Sequence, residues 1–150
     1  MFAYTNAIYA SVAYLAEHHV TASPPTLNWV GWTERTPFPE WVKASPYPLV
    51  PARHWVNDVM LQFEAVKAGL GIGILPCYLA DREPTIRRLP PGSIRPGREI
   101  WLLTHADLRH TARVQAFFDH MAKAITAHRA LIEGHRPWQP EPDREQGSRK

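Results

Sequence analysis

Residues 56–84 read VNDVMLQFEAVKAGLGIGILPCYLADREP, and the order of features in them decides the class of fold. Asn57 or Asp58 can cap a helix, because a side-chain oxygen accepts hydrogen bonds from the free N–H groups of a first turn. Val59, Phe63, Val66 and Leu70 then recur at helical spacing, which makes one face of that helix apolar. Gly69 supplies the residue just past the end, where a positive φ is needed. Leu70–Leu75 reads as a short strand whose glycines let another backbone or a ligand come close. Pro76 can open the next helix, which runs to Asp81, and Thr85–Leu89 reads as another short strand. Strands alternating with helices predict an α/β fold with a largely parallel sheet.

Upstream, Ala52–Val56 is the strand that leads into the Asn57 cap, and Trp29–Thr33 is a second strand. Between them PFPEWVKASPYPLVP (37–51) holds at most one helical turn, near Glu40–Ala44, among prolines that punctuate loops. Ala10–His18 reads as helical. Downstream, PPGSIRPG (90–97) is turn-forming, and Glu99–Thr104 is a nearly continuous apolar run that suits a strand buried on both faces. Val114, Phe117, Phe118, Met121, Ile125 and Ile132 carry a helical stripe, predicting a helix over about 109–132 that Gly134 ends. From Gly134 the chain reads GHRPWQPEPDREQGSRK. That segment is too polar to offset its ordering entropy and is expected to be a disordered tail, 134–150.

Composition narrows the function. The chain has 150 residues, 45% of them hydrophobic and 21% charged, the size and mix of one ordinary domain. It holds no apolar run of about 18 residues, as a membrane span would need, and its first residues lack the form of a secretion signal. A single cysteine, Cys77, excludes an internal disulfide and fits a cytoplasmic location. The net charge of +3 is spread along the chain and thickens only in the tail, where Glu141, Asp143 and Glu145 interrupt it. A basic nucleic-acid arm is therefore the weaker reading. Fifteen prolines are about double the usual frequency of about 5%.

Most chemical motifs resolve to structural readings. The glycines of GLGIG (69–73) close a helix and enter a strand, the reverse of a nucleotide-binding loop. Cys77 has no nucleophile elbow and no partner histidine in any local pattern, so a packed helix residue is favoured over a small cysteine hydrolase. The histidines show no metal-binding spacing, and Glu40, Asp58, Glu64 and Asp81 form no acid–base pair. Glu64 and Lys67 read as a surface ion pair. No metal, cofactor or catalytic residue is indicated. Asn57 and Asp58 stand out, because a polar pair at a strand exit and helix start meets free backbone donors where open α/β sheets bind ligands. A plain helix cap is the other reading. Thr33, at the end of the Trp29–Thr33 strand, meets the same criterion less strongly.

The central run resembles the effector-binding domain of LysR-type transcriptional regulators, where a strand, a polar helix start, an AV-x-AGLGI-x-x-LP segment and a short helix follow one another. IYASVAYLAEH (8–18) is similar to the family's YASPAYLA segment, with Val12 where proline is common. REIWLLTHADLRHTARVQAFFDHMAKAI (98–125) is similar to its closing strand, turn and helix. The resemblance covers about residues 4–130. It implies a periplasmic-binding-protein type 2-like fold with a complete second subdomain (1–97, with the crossover at its start) and a partial first subdomain (98–132). It also implies a small, anionic effector held by Asn57, Asp58 and, more weakly, Thr33. The helix 58–68 resembles the one that joins subunits in the family's homo-oligomers. Family chains begin with a winged helix-turn-helix, so DNA contact falls to a domain not expected in this chain. With their sheet partners missing, the 98–104 strand and the 109–132 helix are expected to expose apolar faces. A fragment of a solute-binding protein of the same fold is the alternative, and it calls for an export signal.

Overall fold

The structure is a computed structural model that describes residues 2–21, 26–32 and 34–136. Its elements in chain order are β1 (Phe2–Ser11), α1 (Val12–Glu17), β2 (Trp29–Gly31), α2 (Glu40–Lys43), β3 (Ala52–Trp55), α3 (Val59–Lys67), β4 (Gly73–Pro76), α4 (Cys77–Ala80), β5 (Ile86–Arg88), β6 (Arg95–Ile100), α5 (Ala112–Ala127) and α6 (Arg129–Ile132), with a short 3-10 turn at Ala106–Leu108.

β1 is the axis of the sheet and the element that sequence reading missed. The helix expected over Ala10–His18 starts only at Val12, where the Ser11 side chain accepts from Tyr14 N at 3.1 Å. Residues 2–11 are extended instead. β1 runs antiparallel to β4, β5 and β6. Asn6 and Tyr9 each have two strand partners, so β4 lies along one edge of β1 while β5 and β6 lie along the other. On the far side of β4, Ile72 bridges Trp29 in parallel, and β2 pairs with β3 in parallel. The spatial order is therefore β3-β2-β4-β1-β5. The expectation of a largely parallel sheet is corrected by one strand: β1 runs against all its neighbours, while β4 and β5, joined through α4 and separated by β1, point the same way.

Alternate residues of β1 point to opposite faces, and two cores result. Ile8 and Ala10 join Trp29, Val42, Val50, Ile72 and Leu89 on one face. Ala7 and Tyr9 join Val30, Phe63, Val66, Leu75 and Cys77 on the other. The proline-rich segment closes the first core. Trp29 is fully buried there, edge-to-face with Trp41 at 5.3 Å and with Tyr47 at 6.3 Å. α3 closes the second core. Gly69 ends that helix at φ 81° as expected, and a Cβ on Gly73 would sit 2.6 Å from Val66 Cγ2, so only glycine lets α3 lie this close to β4. Lys67 pairs not with Glu64 but with Glu83 at 2.9 Å, and this contact first of all holds the Glu83 carboxyl below its ordinary range.

The returning segments differ from expectation in register. The strand expected over Glu99–Thr104 runs over Arg95–Ile100, inside the stretch read as a turn, because its pairing with β1 matches Ile100 to Phe2 and Arg95 to Asn6. Pro96 and Gly97 are tolerated because β6 is an edge strand. Residues 101–104 are then left without a sheet, and Leu103 is 81% exposed. The single helix expected over 109–132 breaks at His128 into α5 and α6, and α5 has no buried residue. Gly134 is not the start of a tail. It is buried, and its carbonyl accepts from Arg88 Nη2 at 2.7 Å. The rest of the tail expectation, from residue 137, lies outside the described residues.

One buried charge ties these parts together. The Asp81 side chain, just past α4, is 1% exposed. Its Oδ1 accepts from Tyr9 Oη at 2.7 Å and from Arg88 Nε at 3.0 Å, and its Oδ2 is ion-paired with Arg88 Nη2. Burial, reinforced by hydrogen bonds to Cys77 and Asp81, pushes the Tyr9 phenol far above its ordinary value, so it stays a donor. Removing one partner of a buried pair strands the other charge. Asp81→Asn should therefore cost about 3–5 kcal/mol in urea unfolding, and a loss below about 1 kcal/mol, the range of exposed pairs, would contradict the role given to this group. Hydrogen exchange should find the amides of Ala112–Ala127 far less protected than those of Ala7–Ser11, since no α5 side chain is buried while that half of β1 is buried throughout. Equal protection would refute the assignment.

Candidate functional site

The face of the sheet that carries Ile8 and Ala10 is not filled along its whole length. Period-two alternation puts Tyr4 and Asn6 of β1 on that face. It likewise puts Ile74 and Pro76 of β4 on one face, while Pro96 and Arg98 of β6 flank an irregularity in that strand's pairing with β1. These three pairs line one cleft of about 510 Å³, completed by Gly97, Tyr78 from α4, Trp32 just after β2 and Val59, the first residue of α3. The volume falls in the range of about 300–1,000 Å³ usual for small-molecule sites.

The lining has a definite chemical character. Tyr4 and Tyr78 meet edge-to-face, with ring centroids 5.6 Å apart and planes at 88°. Burial first, and the neighbouring Tyr4 second, push the Tyr78 phenol above its ordinary value, so its hydroxyl remains a donor. Asn6 adds an amide. Among the described residues, Arg98 is the one charged side chain of the lining, and no carboxylate is in it. A cavity built of aromatic rings, apolar side chains, a few polar atoms and one cation can hold a small molecule and donate hydrogen bonds to it.

Of the residues singled out from sequence, Asn57 and Asp58 precede Val59 of this cleft and are not in its lining. Asp58 caps α3 as expected, its Oδ1 accepting from Met60 N and Leu61 N, both at 2.9 Å. That carboxylate is thus occupied, and its contribution near the cleft is to fix where α3 begins. Asn57 and Asp58 are both exposed, directly before Val59 of the lining. Thr33 lies outside the described residues, next to Trp32 of the lining. Tyr4, Asn6, Tyr78 and Arg98 went unnoticed in sequence. The first two sit in the strand that was not recognised, and Arg98 sits in the strand that was placed too late. For Tyr4 and Asn6 the signal is their i, i+2 spacing on β1, visible only once that strand is known. Cys77 is fully buried at the start of α4, among the core residues around Tyr9 and Leu75. No group of three or more His, Cys, Asp or Glu gathers as a metal site would require among the described residues.

Comparison with known proteins places this architecture. Three solved domains share its fold at 19% sequence identity. One is the effector domain of the transcriptional regulator AmpR of Pseudomonas aeruginosa, with a TM-score of 0.62, covering 88% of this chain and 67% of that one. Another is the regulatory domain of CrgA, a LysR-type transcriptional regulator from Neisseria meningitidis, with a TM-score of 0.59, covering 82% and 65%. The third is the regulatory domain of AphB from Vibrio vulnificus, with a TM-score of 0.54, covering 81% and 65%. The chain thus spans about two thirds of the length of the domains it matches. Comparison with curated protein sequences finds no match. The fold is the α/β, periplasmic-binding-protein type 2-like fold of these regulatory domains. The model of the LysR substrate binding domain matches residues 3–126, most of the chain, and this chain therefore belongs to that family.

Proposed function

We propose that this chain is the small-molecule effector-sensing part of a LysR-type transcriptional regulator, working in the cytoplasm. Within it, residues 1–97 form the second effector subdomain and 98–132 the part of the first that returns to it. The observation that carries the reading is the 510 Å³ cleft in which Arg98 is the only charged lining group among the described residues. A lining with that one cation favours an anion, since the guanidinium can donate to it. The effector fills this cleft, and its different affinity for two arrangements of a dimer or tetramer shifts the balance between them. DNA would be met through a winged helix-turn-helix outside this domain. The domain does no chemistry, and its site needs no cofactor.

Asn57 and Asp58, at the α3 end of the cleft, and Thr33, beside Trp32, complete the proposed contacts from the rim. Subunits would meet through α3 and its flanks, residues 58–68. Met60 and Leu61 are 50% and 54% exposed there, apolar side chains that a partner subunit would cover. A solute-binding protein of the same fold remains the other reading, and the family match favours the regulator.

Small carboxylates should bind this chain while their amides bind more weakly. Arg98→Gln should weaken the acids by about ten- to a hundredfold, the worth of a charge-assisted hydrogen bond, and leave the amides unchanged in calorimetric titration. Equal loss for acids and amides would show that Arg98 supports the fold and not the ligand. Leu61→Asp should lower the association of this chain in sedimentation-equilibrium runs, and an unchanged association constant would remove α3 from the interface.

A further inference from the structure

We infer that the cleft is built for a planar aromatic carboxylate, the ring gripped by Tyr4, Tyr78 and Trp32 while Arg98 takes the carboxylate; this rests on the effector-cleft reading above and names its ligand class. Three aromatic side chains converge on one cavity, beside the aliphatic Val59 and Ile74 and the rings of Pro76 and Pro96. Tyr4 and Tyr78 stand perpendicular to each other, so a guest ring entering beside them finds both a ring edge and a ring face. Perpendicular and offset arrangements are the ones aromatic rings favour.

The rings are also held in advance. A Cβ on Gly97 would lie 2.6 Å from Tyr4 Cε2 and 2.7 Å from Tyr4 Cδ2. The Tyr4 ring therefore rests on the bare backbone of β6, with Tyr78 across its edge. A side chain seated in this way offers a shaped wall, unlike an aliphatic one that repacks around any guest. Trp32 is 38% exposed although it borders the cavity, so its indole has surface left for a ligand ring to cover. The hydroxyls of Tyr4 and Tyr78 and the amide of Asn6 give the same cleft partners for polar substituents on that ring. The volume exceeds the needs of a single benzene ring, which leaves room for such substituents or a fused second ring.

Calorimetric titration of the whole chain with benzoate, cyclohexanecarboxylate and propionate tests the inference. All three carry the same charge. The first two have nearly the same size, and only benzoate is flat and aromatic. Benzoate should bind about three- to tenfold more tightly than cyclohexanecarboxylate, the span of ring–ring contacts. Tyr78→Leu should bring the ratio of benzoate to cyclohexanecarboxylate affinity down to about one. Trp32→Leu, at a side chain already part-exposed, carries the same test if the Tyr78 variant does not fold. Equal binding of the two ring acids would overturn the aromatic assignment and leave the anion-binding cleft standing. Failure of all three acids to bind at millimolar concentration would overturn both.

Discussion

A carboxylate as deeply buried as Asp81 has to be matched, because an uncompensated charge in an apolar interior costs several kcal/mol. Here the match is complete, and it is drawn from four separate places in the chain. Tyr9 comes from the middle of β1, Arg88 from the end of β5, Asp81 from just past α4, and the Gly134 carbonyl joins through Arg88 Nη2. Each partner is useful only if the others are in register. A one-residue slip of β1 would turn Tyr9 to the other face and send Ile8 toward the charge. The group therefore specifies register more than it adds stability, and it anchors the end of the returning helices to the sheet.

The cleft follows from that register. With Tyr9 held against Asp81, the odd residues of β1 before the β6 irregularity and the even residues near β4 have no freedom to exchange faces. Asn6 is aligned with Pro76 on one edge and with Arg95 on the other. Along β1 the first core ends at Ile8. What lies beyond is a stretch of sheet where Tyr4, Asn6 and Arg98 stand beside Ile74 and two prolines. The site is thus the part of one sheet face that the core does not occupy, and its chemistry is that of the residues left there.

This explains what could be read from the chain beforehand. Around Asn57–Asp81 local and tertiary signals agree: Asp58 caps, Val59 to Val66 pack, Gly69 ends the helix, and β4 and α4 follow at once. Helix propensity, turn chemistry and burial all point the same way there, so the elements are found within a few residues. β1 is the opposite case. Ala7–Ser11 is buried on both faces, which removes the alternation that marks a strand, and Ala3, Ala7, Ala10, Ala13 and Ala16 imitate a helix. β6 is fixed by its partner, since Pro96 and Gly97 would never be chosen as strand residues on propensity. Because the lining comes mainly from β1, β4 and β6, losing β1 and β6 lost Tyr4, Asn6 and Arg98 with them. The Lys67–Glu83 contact was hidden for a related reason, as it joins a helix to a later loop and has no helical spacing to betray it.

The same dependence on partners governs the C-terminal third. The run 101–104 has the composition of an interior strand, and α5 has the stripe of a packed helix, yet Trp101, Leu103, Leu108 and Phe117 are all exposed. Amphipathic pattern shows that a face is made to be covered. It does not show that the cover lies in the same stretch of chain. In the domains that share this fold, about a third of the length has no counterpart in these residues. The segment from β6 onward is nevertheless held, through the pairing of β6 with β1 and through Gly134 at the Arg88 anchor. Both attachments reach the strand that also carries Tyr4 and Asn6. The C-terminal third and the cleft therefore share β1 and β6, so a change in the pairing of either strand would bear on both.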